Sequence, residues 1–415
     1  MAALVQQLRR RGQQAGLAAI GVAPATPMEG TRRILQERKA AGLSATMQFT
    51  YRNPERSTDP GRLLPGAAAL VVGAWAYGGR PATPGAATST DGNGEAAPKG
   101  IVARYADRDH YADLKAALGD LAGVLHQAGF SARVVADDNA LVDRAAAHRA
   151  GLGWFGKNAN ILLPRRGSWF LLGSVVTDAP LPADAPVDDG CGPCRRCLGS
   201  CPTGALVAPG VLDARRCLAW LLQAEGVFPF EYREALGARI YGCDDCQDTC
   251  PANRAAARLG PGGSANAGAA NAGPVGPGEG AVDILDLLST DDAALLARYG
   301  RWYIPRRDPR YLRRNALIVL ANVGDGGAKG VEQALCHFLC GPDEMLRAHA
   351  VWAAVRVGRR DLLAQAQGLE DDQSPLVQHE LRRLDEIEPR SPLLGAGAGA
   401  GARVTSRSSV VPGRD

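Results

Sequence analysis

The sequence predicts an α+β protein in three parts: an N-terminal α/β domain with a mixed sheet, a short cysteine-rich module and a C-terminal run of α-helices. Three observations carry that reading. Val-rich runs bounded by turns flank a helical pattern before residue 180. Eight of the ten cysteines fall between residues 181 and 254. Beyond residue 280, two apolar helical segments align at a spacing of 34 residues.

The chain has 415 residues, 46% of them apolar and 22% charged, as expected of a globular protein with more than one core. The first residues, MAALVQQLRRRGQQAGLAAIGVA, mix three arginines into apolar residues and read as an amphipathic helix rather than a secretory signal. No apolar run is long enough to span a bilayer, so no membrane segment and a cytoplasmic location are expected. In that compartment clustered cysteines point to metal rather than disulfides. The net charge of +4 leaves any nucleic-acid affinity to a local patch.

Within residues 1–180, AAALVVGAWAY (67–77) and ARVVADD (132–138) read as buried strands. Between them YADLKAALGDLAGVLHQAGF places Leu114, Leu118, Leu121 and Leu125 on one helical face. NILL and SWFLLGSVV flank PRRG, which predicts a β-hairpin over 160–176; with it the sheet becomes mixed. GLGWFGKN (151–158) nearly spells a phosphate-binding loop, but Asn158 stands where a magnesium-binding hydroxyl is required. Trp154 and Phe155 in that stretch are expected in the core. Residues 258–280 and 391–415, rich in Gly, Ala and Pro, are expected to form a flexible insertion and a disordered tail. Residues 281–390 carry the repeat: RRNALIVLANVG (313–324) and RAHAVWAAVRVG (347–358) share Arg313/Arg347, Ala316/Ala350, Val323/Val357 and Gly324/Gly358, a HEAT-like pair with glycine C-caps.

The cysteines of residues 181–257 fall in two knots. The first, DGCGPCRRCLGSCPTGAL, spaces Cys191, Cys194, Cys197 and Cys201 as C-x2-C-x2-C-x3-C-P. Three thiolates at this spacing wrap corners of a [4Fe–4S] cube, and the fourth reaches to a second cube. Structural zinc wants two separated ligand pairs, and no histidine lies near either knot. The second knot offers Cys243, Cys246 and Cys250; Cys217 completes the count. The crossing rule for two-cluster ferredoxins groups Cys191, Cys194, Cys197 and Cys250, and separately Cys201, Cys217, Cys243 and Cys246. The bland alternative for Cys217 is a small buried apolar residue. Cys336 and Cys340 share a face of an apolar helix and are expected in the core. The module reads as a ferredoxin-like two-[4Fe–4S] domain that passes single electrons.

RSTDPGRLLPGA (56–67), DDNALVDRAAAHRAGLGWFGKN (137–158), GSWFLLGSVVTDAPLPAD (167–184), both knots and the repeats together resemble the epoxyqueuosine reductase family over about residues 30–360. The resemblance implies cobalamin beside the two clusters, and reduction of the epoxide of epoxyqueuosine, at the wobble position of tRNA, to the alkene. Two electrons and two protons are consumed, and the oxygen leaves as water. The N-terminal domain would then bind cobalamin and be fed by an external low-potential electron donor. Matched to the family's motif, the proton donor falls on Asp137, whose bland alternative is a turn or helix cap. Arg56, Asp137, Lys157, Ile161 and Asp244 would line the cobalamin pocket. No Asp-x-His-x-x-Gly pattern is present, so no histidine below the cobalt is expected.

ARYGRWYIPRRDPRYLRRN (297–315) holds seven arginines against one acidic residue, interleaved with Tyr299, Trp302, Tyr303 and Tyr311. Arginines for phosphate and aromatics for stacking predict an RNA surface, with Arg306, Arg307, Arg310, Arg313 and Arg314 as its contacts. The resemblance places it beside the anticodon stem-loop; the bland alternative is a solvated helix edge with aromatics in a seam. The reading is a monomeric tRNA-modifying reductase. The competing readings are a dehalogenase-like reductase of another substrate and a non-catalytic ferredoxin-like electron carrier.

Overall fold

The computed structural model describes residues 1–77, 88–90, 96–258 and 280–390. Most of the expected insertion (259–279) and the whole expected tail (391–415) lie outside the described residues.

The N-terminal domain is built on strands β1 (Ala19–Pro24), β2 (Ala69–Ala76), β3 (Ala132–Ala136) and β4 (Phe170–Thr177), in the spatial order β1-β2-β4-β3. Every pairing in this sheet is antiparallel, which corrects the expected mixed sheet. The predicted 160–176 hairpin is reduced to one bridge, Leu163 to Gly167. Beyond that bridge the two arms part. Ile161–Leu162 pairs with Trp154–Phe155, and β4 instead enters the sheet between β2 and β3.

Strand β2 is apolar along its length because both of its faces are covered. Val71 and Trp75 face the helices α1 (Ala2–Gln14) and α2 (His110–Gln127), whereas Leu70, Val72 and Ala74 face α3 (Asp143–Arg149) and the loops around it. Leu114, Leu118, Leu121 and Leu125 are fully buried, as the helical pattern requires. Gly73 and Gly173 pair across β2 and β4. A Cβ on them would come within 3.0 Å and 2.7 Å of Leu118, so these glycines let α2 seat close on the sheet.

A mixed sheet exists elsewhere. Strand Ala96–Val102 pairs in parallel with Arg239–Tyr241 and antiparallel with Ala281–Asp283, joining one strand from each of the three sequence segments. Beneath it a single apolar cluster runs from Val102 through Phe228 and Leu236 into the C-terminal helices α4 (Arg310–Val323), α5 (Lys329–Leu339) and α6 (Glu344–Arg356). The two repeat helices, α4 and α6, pack against each other. Both end at their glycines: Gly324 caps α4 with extended backbone, its amide bonded to the Leu320 carbonyl, and Gly358 follows the last turn of α6 with a left-handed φ of 81°. Among the described residues no helix is long and apolar enough to cross a membrane.

Buried polar groups lock the helices to the cysteine-rich segment. Arg233 and Glu380 form a bidentate pair at 2.9 and 2.7 Å, both essentially inaccessible. His349 Nε2 accepts the Phe228 amide at 3.2 Å, so its Nδ1 carries the proton and donates to the Met345 carbonyl at 2.7 Å. The ring is therefore neutral. Burial first, then the charge of Arg233, holds its pKa well below the ordinary value.

Below the unfolded pKa of about 6.5 the unfolded chain takes up a proton that this ring refuses. His349 thus opposes unfolding fully above about pH 6.5 and loses about 1.4 kcal/mol per pH unit below it. Urea unfolding at pH 7.5 and 5.5 should show a larger acid loss for wild type than for His349→Gln; equal losses would contradict this account.

Candidate functional site

The cysteine segment meets the N-terminal domain through a buried network of amides and a hydroxyl. Asn253 Nδ2 donates to Ser168 Oγ at 3.0 Å and to the Gln247 carbonyl at 2.8 Å. Its Oδ1 accepts the Ser168 amide at 2.6 Å. Gln247 Nε2 donates to the Ser168 carbonyl at 3.0 Å and to the Tyr77 hydroxyl at 3.2 Å. Gly167 is obligatory beside it: its φ is 74°, and a Cβ would lie 1.9 Å from Asn253 Oδ1.

This docking sets two groups of thiols. Cys197 has its pKa raised by burial, then by the charges of Cys250, Cys191 and Cys194. Cys246 is pushed well up by burial, then by Cys243, Cys217 and Cys201, with Cys197 a weaker neighbour. Burial pushes Cys243 up to about 12. N–H groups already point at the sulfurs: Ala205 donates to Cys201 Sγ at 3.2 Å, and the amides of Ala219 and Trp220 to Cys217, which opens a short helix. Half-buried thiols near one another, two of which receive amide hydrogen bonds, have the chemistry a metal cluster requires, since its charge offsets that of four thiolates.

Next to the second group, Asp244 is buried and its pKa is pushed up to about 6, burial being the main cause. Its Oδ2 accepts the Arg104 amide at 2.9 Å, while Oδ1 is buried without a hydrogen-bond partner. The Arg104 guanidinium lies 3.6 Å from Asp244, 2.5 Å from Asp248 and 4.4 Å above the Trp169 ring. Burial and the charge of Asp244 raise the pKa of Tyr77. Tyr111, raised by burial, also feels Asp137, Asp143 and Tyr77.

Asp137 closes this series just beyond β3, in a left-handed conformation with φ 53°. Asp138 caps the next turn through the Ala140 amide at 2.8 Å, and Val142 donates to the Ser57 carbonyl at 3.0 Å. The Asp137 amide holds the carboxylate of Asp143, whose own Oδ1 is buried and unpartnered. The Asp137 side chain remains open to solvent, yet partial desolvation is the first cause lifting its pKa, with Lys115 opposing and Asp138 adding to it. A continuous electrostatic neighbourhood thus runs Asp137–Tyr111–Tyr77–Asp244 and on to Cys246.

Residues 190–253, which contain all eight clustered cysteines, match the family model of a 4Fe-4S double cluster binding domain. An epoxyqueuosine reductase of Bacillus cereus is 32% identical over 376 residues, covering 89% of this chain and 93% of that protein. The chain belongs to the epoxyqueuosine reductase family. A crystal structure of an epoxyqueuosine reductase with an epoxyqueuosine-modified tRNA-Tyr stem loop superposes with a TM-score of 0.79 at 28% identity, covering 93% of this chain and 99% of that one. A Bacillus subtilis epoxyqueuosine reductase whose catalytic aspartate loop is swung out of the active site gives 0.78 at the same identity and coverage.

The other residues expected from the family resemblance are dispersed. Arg56 is exposed and lines a polar cavity of about 430 Å³ with Phe49, Arg52, Asn53 and Asn139, beside the Asp137 loop. Lys157 donates to the Gly192 carbonyl at 2.5 Å, which ties it to the first cysteine loop. Ile161 has its side chain packed in the apolar core, so the expectation that it lines a cofactor pocket is corrected. Phe155 is 47% exposed rather than core, and Cys340 is exposed although Cys336 is half-buried.

The expected RNA surface divides in two. Arg314 is fully buried, donating at 2.7 Å to the carbonyls of both Ala224 and Gly226, and cannot touch RNA. Tyr299, Trp302 and Tyr311 are buried as well; Trp302 stacks on Tyr241 at 4.6 Å and fills the seam between segments. Arg306 and Arg307 are exposed with Tyr303, Arg310 pairs with Asp308 at 2.7 Å, and Arg313 pairs with Asp292 at 2.5 Å. Sequence reasoning missed Tyr77, Arg104, Tyr111, Asp143 and Arg144. Arg144 is exposed, forms no ion pair among the described residues, and acts on Tyr77, Tyr111 and Asp143. The available signal was the Asp143–Arg144 pair opening an alanine-rich helix.

In metal-free protein at pH 8, a thiol with a pKa near 12 is ionised about once in 10⁴ molecules. Iodoacetamide should therefore modify exposed Cys340 at least about tenfold faster than Cys243. Peptide mass spectrometry over time measures this, and equal rates would contradict the burial described.

Proposed function

We propose that this chain reduces the epoxide of epoxyqueuosine in the wobble position of tRNA to the alkene of queuosine, using two [4Fe–4S] clusters and cobalamin. The observation that carries the proposal is the docking of the cysteine-rich segment on the N-terminal domain, where Gln247, next to Cys246, donates to Tyr77 and Ser168. Asp137, a carboxyl with a raised pKa, lies among the charges felt by Tyr111, and Asp244 and Cys246 among those felt by Tyr77.

In this reading Cys191, Cys194, Cys197 and Cys250 hold one cluster, and Cys201, Cys217, Cys243 and Cys246 the other. Arg56, Asp137, Lys157 and Asp244 belong to the cobalamin site. Cobalamin, when bound, supplies the two-electron chemistry at the epoxide carbon. The chain's own residues do the rest. Asp137 carries a proton to the departing oxygen, and its raised pKa keeps that proton bound closer to neutrality. The Arg104 amide holds Asp244 in place, and Gln247 joins Tyr77 to the cysteine segment.

Residues 1–180 form the catalytic domain, 181–257 the cluster domain and 281–390 a HEAT-like helical domain. On the last, Arg306, Arg307, Arg310 and Arg313 meet the anticodon stem-loop and Tyr303 offers its ring for stacking. The protein acts in the cytoplasm as a monomer.

Protein reconstituted anaerobically with iron, sulfide and cobalamin should convert epoxyqueuosine-tRNA to queuosine-tRNA, read by mass spectrometry of digested nucleosides. No product above a cobalamin-free control would sink the proposal. Asp137→Asn should lower turnover by about 10² to 10⁴ with the clusters intact, and wild-type turnover should decline as pH rises through the raised pKa of Asp137. Full activity in that variant would remove Asp137 from the chemistry. Iron analysis should give about eight atoms per chain, and about four in Cys201→Ala if its cluster is lost; eight in that variant would exclude Cys201 as a ligand.

A further inference from the structure

The two groups of thiols differ in their relation to solvent. Cys217, Cys243 and Cys246 are deeply desolvated, next to Asp244 and Tyr77. Cys191, Cys194 and Cys197 lie instead on a surface loop whose other members are largely exposed: Asp188, Asp189, Gly190, Gly192, Pro193, Arg195 and Arg196. The loop is braced from below rather than covered. The Trp154 ring lies under Gly190, where a Cβ would come within 2.6 Å, and Lys157 Nζ reaches the Gly192 carbonyl. Phe155, between those two braces, leaves 47% of its area in solvent.

The charge on this face is uneven. Arg195 and Arg196 are exposed, and their guanidiniums have no ion pair or hydrogen-bond partner among the described residues. Exposed Arg254 stands one helical turn beyond Cys250. Of the two nearby acids, Asp189 turns inward to accept the Cys191 amide at 2.8 Å. Two exposed guanidiniums without an acidic partner, between Cys194 and Cys197 in the chain, suit an acidic protein surface beside these thiols.

We propose that this face docks a small acidic one-electron carrier protein, and that electrons enter through the cluster of Cys191, Cys194, Cys197 and Cys250. The inference rests on the ligand sets assigned above. Each encounter moves one electron: the carrier is oxidised by one, the cluster is reduced by one, and no bond or proton changes. Two encounters supply one epoxide reduction.

The test uses cluster-loaded protein without cobalamin or tRNA, so it is independent of whether queuosine is formed. The probe is a reduced plant-type [2Fe–2S] ferredoxin, and stopped-flow bleaching of cluster absorbance is the readout. Arg195→Glu/Arg196→Glu should slow bleaching by ferredoxin about tenfold or more at low salt, with a smaller deficit at high salt. Bleaching by dithionite and the affinity for tRNA should be unchanged. Arg195→Gln/Arg196→Gln should fall between the two, separating charge from folding. Equal ferredoxin rates in wild type and the Glu variant would overturn the proposal. So would an equal loss with dithionite, which would locate the defect in the cluster, or a comparable loss of tRNA affinity, which would make the face an RNA surface.

Discussion

The buried contact of Asn253 and Gln247 with Ser168 is the constraint on which the rest of this structure depends. Three neutral side chains satisfy one another and three backbone groups in a region closed to water. A partly satisfied network of this kind would be costlier than an apolar one, so it holds a single arrangement. It fixes two points of the second cysteine knot at once, because Gln247 follows Cys246 and Asn253 lies three residues beyond Cys250. In the ligand sets proposed here those two cysteines serve different clusters. One polar contact therefore registers both clusters against the end of β4 and against Tyr77.

Low dielectric then acts on thiols and carboxyls in the same direction. Burial disfavours negative charge, so Cys243, Cys246, Asp244 and Asp143 are all displaced upward. The outcomes differ because the compensation differs. Thiolates in fours regain stability from iron, and the amides aimed at Cys201 and Cys217 are spent on sulfur rather than on turns. The carboxyls have only Arg104 and Arg144 nearby, and so hold protons more strongly than exposed acids do. The phenols of Tyr77 and Tyr111 are displaced upward by the same burial, Tyr77 feeling Asp244 and Cys246, and Tyr111 feeling Asp137 and Asp143.

What was legible in the sequence was what local spacing decides. The cysteine-rich two-cluster segment follows from its spacing, and the leucine face of α2 follows from helical period. The path of β4 was not legible. Its apolar run fits either a hairpin with 160–163 or a central position between β2 and β3, and only burial on both faces selects the second. Nor could composition separate Arg314 from Arg306. Both belong to one basic run, but the helical phase of α4 turns Arg314 onto the carbonyls of 221–226 while Arg306 precedes the helix and stays in solvent. Asp143 and Tyr77 carry no spacing signal at all, since they become neighbours of the reactive groups only through the sheet.

Arg314 also decides how the helical segment relates to the clusters. Its guanidinium spans carbonyls from Leu221 to Gly226, and Asn315 Nδ2 adds Leu222 at 2.9 Å. These carbonyls close the short helix that Cys217 opens. Helix α4, which follows the exposed Arg306 and Arg307, is therefore bonded directly to the stretch that Cys217 opens. In the function proposed here, an RNA held on those arginines would sit on the same rigid frame as the cluster that delivers electrons. The distance between base and electron source would then be set by folding.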